Sequence, residues 1–270
     1  DVLVELGLPA NEELNLIVNR RMSSAFINGV QALFNPSGLI SKQLSTGNMQ
    51  SSLGYTTQLD QTINSHVNGA YSGTPLCNAA TAQQAEGGNN GSMTLITDGW
   101  GSGVTNLKLG DKFTIGSASS ATVGGVNSVH PQTRVSTGRQ QVFTVTADIS
   151  DTTGAISMVV IPAITPSGQY QNVDSAAVDN AIITVIGATG VTSTQGLLLH
   201  ENAFAFISVP IHEPEAGMGA KVEQFTDDET GLVISHLGYF DGDNGVEKHK
   251  FQSLVGYGAM YKEMACVIQA

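Results

Sequence analysis

The sequence predicts an α+β chain carrying an inserted all-β domain, and three observations lead there. Near the front, RRMSSAFINGVQALFNPSG (20–38) repeats apolar residues at helical spacing. Residues 66–196 hold 18 of the 31 glycines and no sustained 3.6-residue pattern. From Leu197 onward apolar density rises again, in runs separated by acidic turns. The order is α/β, then all-β, then β again. A β-rich domain inserted into an α+β domain produces that order, so the expected divisions are 1–65, 66–196 and 197–270.

The elements follow in order. DVLVELGLPANEE (1–13) reads as the end of a helix stopped by Gly7. It has no initiator Met, and the chain is expected to be the C-terminal part of something longer. LNLIVN (14–19) fits a buried strand. The next segment sets Met22, Phe26, Val30, Leu33 and Phe34 on one helical face until Asn35-Pro36-Ser37-Gly38 stops it. Within 66–196 the runs MTLIT (93–97), KFTI (112–115), QVFTVTAD (141–148), AISMVVI (155–161) and AIITVIG (181–187) are short and rich in Val, Ile, Thr and Phe. Turn clusters such as Leu109-Gly110-Asp111 and Asp151-Thr152-Thr153-Gly154 divide them, as in a barrel or sandwich. Later strands are expected in 202–211, 231–240, 249–258 and 264–268, with hairpin turns at 227–231 and 241–245.

Composition narrows the function. Charged residues are only 13 % of the chain and the net charge is −12, a balance without the basic stripe that sequence-independent nucleic-acid binding requires. No apolar run reaches the length of a membrane span. Cys77 and Cys266 are far apart and in no CxxC spacing, so reduced thiols are expected.

Constellations that could carry chemistry fail on spacing. Around Asp241 and Asp243, Gly245 stands where the third ligand of a calcium loop should be and Gln252 occupies the position of its bidentate Glu, which leaves a turn. The six histidines form no HxH or HExxH pair. His200-Glu201 and His212-Glu213 are adjacent residues that point to opposite faces of a strand. No nucleophile elbow, dinucleotide fingerprint or P-loop occurs. The expectation is no enzyme, no metal and no cofactor.

Two places remain. Trp100, the sole tryptophan, lies among Gly and Ser, where it anchors either its own loop or a contact with another molecule. VNSVHPQTRVSTGRQQVFTVTADIS (126–150) reads as two extended segments around a polar bend, and Arg134 there suits either a cross-hairpin bond or a neighbouring chain. A β-rich glycan-binding or adhesin module is the alternative that the hydroxyl-rich stretch and Trp100 suggest.

An ordered series of pieces then carries a resemblance: LVELGLPANEELNLIVNRR…GVQALF (3–34), GYTTQLDQTINSHVNG (54–69), LKLGDKFTI (107–115), the 126–150 stretch, IPAITPSGQYQNV (161–173), LLLHENAFAFISVPIHEP (197–214) and HKFQSLVGYGAMYKEMACVI (249–268). Together they resemble the major capsid proteins of tailed bacteriophages, in the short-tailed-phage coat-protein group whose capsid fold carries an insertion domain.

The resemblance implies the capsid fold shared by tailed phages and herpesviruses. Its A-domain and the C-terminal part of its P-domain would come from 1–65 and 197–270, and its inserted β-barrel from 66–196. The N-terminal arm, E-loop and spine helix of that fold are not found in this sequence. It also implies a non-enzymatic subunit of hexamers and pentamers in an icosahedral shell around double-stranded DNA, made in the host cytoplasm and resident in the virion. Scaffolding, portal and decoration proteins are the implied partners, with no sequence-specific nucleic acid and no membrane. Asn127, Pro131, Gln132, Thr133 and Arg134 match the family's motif, with His130 where Asn is expected. Trp100, His130, Gln132 and Arg134 are the candidate intersubunit contacts.

Overall fold

A computed structural model describes Leu3 and residues 7–8, 14–30, 51–52, 55–79, 83–84, 91–101, 105–122, 124–212 and 220–269. The described chain is β-rich, with twenty-one strands and a single α-helix. The α+β expectation is corrected to that extent, because helical periodicity is confined to one segment while turn residues cut the rest into short extended runs. That helix is not long and apolar enough to cross a membrane. Contacts divide the chain into two compact units, residues 1–200 with 263–270, and Glu201–Lys262. The expected boundaries at 66 and 196 both fall inside the first unit.

In the first unit an open sheet is built from β1 (Leu14–Val18), β2 (Ser51–Ser52), β3 (Tyr55–Leu59), β15 (Thr192–Leu199) and β21 (Ala265–Gln269), in the order β2-β3-β1-β15-β21. β1 pairs parallel with β3 and antiparallel with β15. Helix α1 (Arg20–Val30) follows β1 directly. Asn19 caps it, its Oδ1 accepting the Met22 N–H at 2.8 Å. Met22 thereby joins Leu16 and Val18 in a small core edged by Tyr55, Leu198 and Ile268. The Phe26 ring meets Tyr55 edge-on at 6.0 Å. The expected helix ran to Phe34, and Leu33 and Phe34 lie outside the described residues. At the front, Gly7 has φ +98° and the Leu8 N–H donates to the Leu3 carbonyl five residues back.

The larger core is a barrel. β5 (Gly73–Cys77), β6 (Met93–Trp100), β8 (Lys112–Ile115), β11 (Val142–Val145), β13 (Ile156–Ile161) and β14 (Ile183–Ile186) form one sheet in the order β14-β8-β11-β13-β6-β5. Every pair is antiparallel. A bridge between Leu76 and Ile182, with the Cys77 N–H on the Ala181 carbonyl at 2.9 Å, brings the last strand back to the first. Closure removes the free edges that an open sheet would leave.

Strand alternation fills the inside. In β13 Ile156, Met158 and Val160 are buried while Ser157, Val159 and Ile161 face out. Phe113 and Phe143 sit directly opposite each other on β8 and β11, their rings 5.7 Å apart and both fully buried. Two ribbons flank the barrel in sequence: β7 (Thr105–Leu107) with β12 (Ile149–Asp151), and β9 (Asn127–Val129) with β10 (Ser136–Gln140).

The chain enters and leaves the barrel side by side. β4 (Ser65–Val67) pairs antiparallel with the first residues of β15, and the Asn68 N–H donates to the Val191 carbonyl. Buried Asn68 then donates through Nδ2 to the Ile186 and Ala188 carbonyls, both at 3.2 Å. Gly187 must be glycine, because a Cβ there would lie 2.0 Å from Asn68 Nδ2. Asp111, 1 % exposed, ties the incoming strand to a barrel turn: it accepts the Lys108 N–H at 2.8 Å and the Gly69 N–H at 3.1 Å, and lies 2.7 Å from His66 Nε2.

The second unit contains two small sheets. β16 (Phe204–Val209) pairs with β20 (Leu254–Ala259), and β17 (Ala220–Thr226), β18 (Val233–Asp241) and β19 (Val246–Gln252) form a meander. Its turns are the acidic ones. The Asp227 carboxylate accepts from the Thr230 hydroxyl and N–H, and Asp241 accepts from the Asn244 amide at 2.8 Å and from the Lys248 ammonium. These bonds occupy the carboxylates as turn caps.

Candidate functional site

The β9–β10 hairpin carries three of the four candidate residues. His130 accepts the Arg134 N–H and donates its own N–H to the Val135 carbonyl, both at 2.9 Å, so residues 131–134 form the bend. The imidazole finishes it from inside. Nδ1 of His130 accepts the N–H groups of Gln132 at 3.2 Å and Thr133 at 3.3 Å, which fixes Nδ1 as the unprotonated nitrogen. An Asn carbonyl oxygen can make the same bonds, which explains how His fits a position where Asn was expected.

Arg134 closes the bend in the left-handed region at φ +59°. That costs about 1–2 kcal/mol for a residue with a Cβ. Its guanidinium offsets the strain by donating Nη2–H to the Gln169 carbonyl at 2.9 Å and Nη1–H to the Gln171 carbonyl. The fork therefore clamps the 168–172 loop of its own chain. Gln132 and Thr133 at the tip are exposed.

Asp174 anchors the same loop to the hairpin base. Its carboxylate accepts the Asn127 N–H at 3.0 Å, the Asn127 side-chain amide at 2.9 Å and the Ser136 hydroxyl at 2.7 Å. Burial acts to raise the Asp174 pKa, but the donors from Asn127, Ser136 and Ser175 outweigh it and hold the carboxyl below its ordinary value.

Trp100 lies elsewhere. The ring is 4 % exposed and belongs to the barrel core, and Nε1 donates to Thr97 Oγ1 at 2.8 Å, whose hydroxyl donates onward to the Ile156 carbonyl. Of the two roles open to it from sequence, packing within its own chain is the one the structure gives. The side chain is withdrawn from the contact set, because an indole with its N–H satisfied inside a barrel presents nothing outward.

Beside the hairpin, a groove of about 690 Å³ is lined by Lys112, Ser128, Arg139, Gln140, Thr144 and Cys266 among others. Burial pulls the Lys112 pKa down and pushes the Cys266 thiol up. Burial also drives Cys77 to about 12, so both thiols are poor nucleophiles at neutral pH. His200 is 2 % exposed and His212 is exposed, and the carboxylate of Glu213 lies outside the described residues. His236 Nε2 and His249 Nδ1 are 3.0 Å apart across β18 and β19, with Glu223 3.8 Å from His236 Nδ1. Among the described residues no group of three or more His, Cys, Asp or Glu side chains could hold a metal.

Sequence reading missed the hydrogen-bond hubs at Asp111 and Asp174. Each carboxylate gathers partners more than forty residues away, which no local spacing encodes. It also missed a concentration of exposed apolar side chains in the second unit, where Phe206, Phe225, Phe251 and Tyr257 are each more than half exposed.

What the geometry presents is a set of braced loops and apolar strand faces. Compared with known families, the sequence matches the model of the P22 coat protein, gene protein 5, over residues 40–268. No curated protein matches it.

Proposed function

We propose, from the premise that the chain belongs to the P22 coat protein family and has a structural role in a phage capsid, that it assembles into hexamers and pentamers of an icosahedral shell enclosing double-stranded DNA. The family match over residues 40–268 carries this reading. Residues 66–196 are the insertion domain of the capsid fold, and the remainder contributes to its A-domain and P-domain core. Two observations support that division: the barrel closes on itself, and its incoming and outgoing strands run as a pair.

The braced surface suits such a subunit. Shells are built from many copies through repeated modest contacts, which require loops of fixed shape and little net attraction per contact. His130 and Arg134 set the shape of the hairpin, and exposed Gln132 at its tip is the residue offered to a neighbour. The net charge of −12 keeps the subunit from adhering to packaged DNA. Scaffolding and portal proteins are the expected assembly partners in the host cytoplasm. The glycan-binding alternative loses Trp100 as its stacking residue, since that ring is inside the barrel.

The test is sedimentation of the full-length product expressed with the other structural proteins of its source. Particles of megadalton mass containing this chain as the main component are expected. A chain that stays at monomer mass in every fraction refutes the proposal.

A further inference from the structure

The β17–β18–β19 meander brings together two histidines thirteen residues apart in sequence. In register, Glu223 on β17 and Phe251 on β19 flank His236, and Gly238 on β18 lies opposite His249. His236 and His249 are therefore diagonal neighbours on one face, a separation that ring side chains can span. Gly238 lets His249 lean across, since a Cβ there would already lie 3.4 Å from its Nδ1. His236 Nε2 and His249 Nδ1 end 3.0 Å apart, with the ring planes 11° from parallel and the centroids 5.2 Å apart. The contact plus the two ring radii accounts for that centroid distance, so the rings meet end to end and not face to face. Phe251 stacks on His236 with centroids 4.8 Å apart and holds its ring in place.

The neighbouring charges decide which nitrogens are open. Glu223 Oε2 lies 3.8 Å from His236 Nδ1, while its Oε1 pairs with Lys221 Nζ at 2.5 Å. A carboxylate on that side places the His236 proton on Nδ1 and leaves Nε2 with its lone pair, the arrangement by which carboxylates orient metal-binding imidazoles. His249 is exposed, and with its own proton on Nε2 it presents Nδ1 as a second lone pair. Either His249 returns that proton to the space between the rings or a cation takes its place.

The distance selects the cation. Two nitrogens 3.0 Å apart, each about 2.0–2.1 Å from an ion, subtend roughly 95° at it. That is close to the right angle of the square-planar sites of Cu2+ and Ni2+, and short of the roughly 109° of tetrahedral zinc. We infer that His236 Nε2 and His249 Nδ1 form a two-nitrogen site for Cu2+ or Ni2+, in neighbouring positions of a square plane completed by water. The ion sits beside the line joining the nitrogens, and each ring turns about its soft χ2 to aim at it. The site needs no third protein ligand, and no group of three occurs among the described residues. It is independent of the capsid reading.

The test is titration of the full-length chain with CuCl2 and, separately, NiCl2, beside His236→Gln, His249→Gln and the control His212→Gln. His236→Gln and His249→Gln should each weaken binding tenfold or more, and His212→Gln should bind as the unsubstituted chain does. Glu223→Gln should weaken binding about tenfold by releasing the His236 ring. The electron paramagnetic resonance spectrum of bound Cu2+ should show two imidazole nitrogens in the unsubstituted chain and one in each of the two site variants. On the unsubstituted chain alone, Ni2+ should protect His236 and His249, and not His212, from diethyl pyrocarbonate, a readout that no folding defect in a variant can disturb. The inference is overturned if the unsubstituted chain binds neither ion, if both site variants bind as it does, or if Ni2+ leaves the two histidines as reactive as before.

Discussion

At the residue scale, polar side chains in this protein mostly serve its own loops. Arg134 and His130 are candidate intersubunit contacts in the sequence, where a fork of donors suits a cross-hairpin bond or a neighbouring chain equally. Their bonds are spent on Gln169, Gln171, Gln132 and Thr133. Asp174 is the clearest case with a pH signature. Its folded pKa lies below the unfolded value of about 3.9. Its stabilising contribution is therefore complete above about pH 5 and is lost as acid titrates the carboxylate through the depressed folded value. Asp174→Asn should lower stability by about 1 kcal/mol at pH 7, a modest figure because the group is exposed. The deficit should shrink toward zero below pH 3 in urea titrations; an equal deficit at both pH values would show that the charge is immaterial. Thr57 behaves in the opposite sense. Its Oγ1 is buried without a partner on β3, so Thr57→Val should raise the urea midpoint by an amount worth about 1 kcal/mol. A lower midpoint would mean that the hydroxyl is satisfied after all.

At the element scale, the barrel strands were legible because their cores alternate. KFTI became β8 without change, and AISMVVI, AIITVIG, MTLIT and QVFTVTAD each fell on a barrel strand with ends shifted by a few residues. β17 was not legible: AKVEQFT is polar at most positions, its largest apolar side chain, Phe225, is exposed, and it pairs only because β18 lies beside it. HKFQSLVGYG was read as one run but divides between β19 and β20, which belong to different sheets. No glycine or proline marks that break. The closing register of the barrel was equally hidden, since Leu76 and Ile182 are more than a hundred residues apart. Two substitutions probe these elements. Phe143→Ala removes half of the buried ring pair and should cost about 3–5 kcal/mol. Gly187→Ala drives a methyl into Asn68 at φ +95° and should cost about 2–4 kcal/mol. Combining it with Asn68→Ala should cost less than the two single losses added, because the clash vanishes with the amide. Additive losses in a double-mutant cycle would remove the proposed contact from the account.

At the scale of the whole molecule, alternate side chains of the barrel strands meet in one core. What the sequence could not display is where the apolar surface goes. A phenylalanine in a strand reads as core whether or not anything covers it, so NAFAFISVPI predicts a strand but not that Phe206 is 57 % exposed. In a subunit of a larger assembly such residues are core at the next level of organisation. The most direct measurement is electron microscopy of particles purified from the native source, with the full-length product as the dominant protein. Closed shells of one diameter, resolving into rings of six and five copies of this chain, are the predicted result. A soluble monomer from cells that contain no particles would contradict the account.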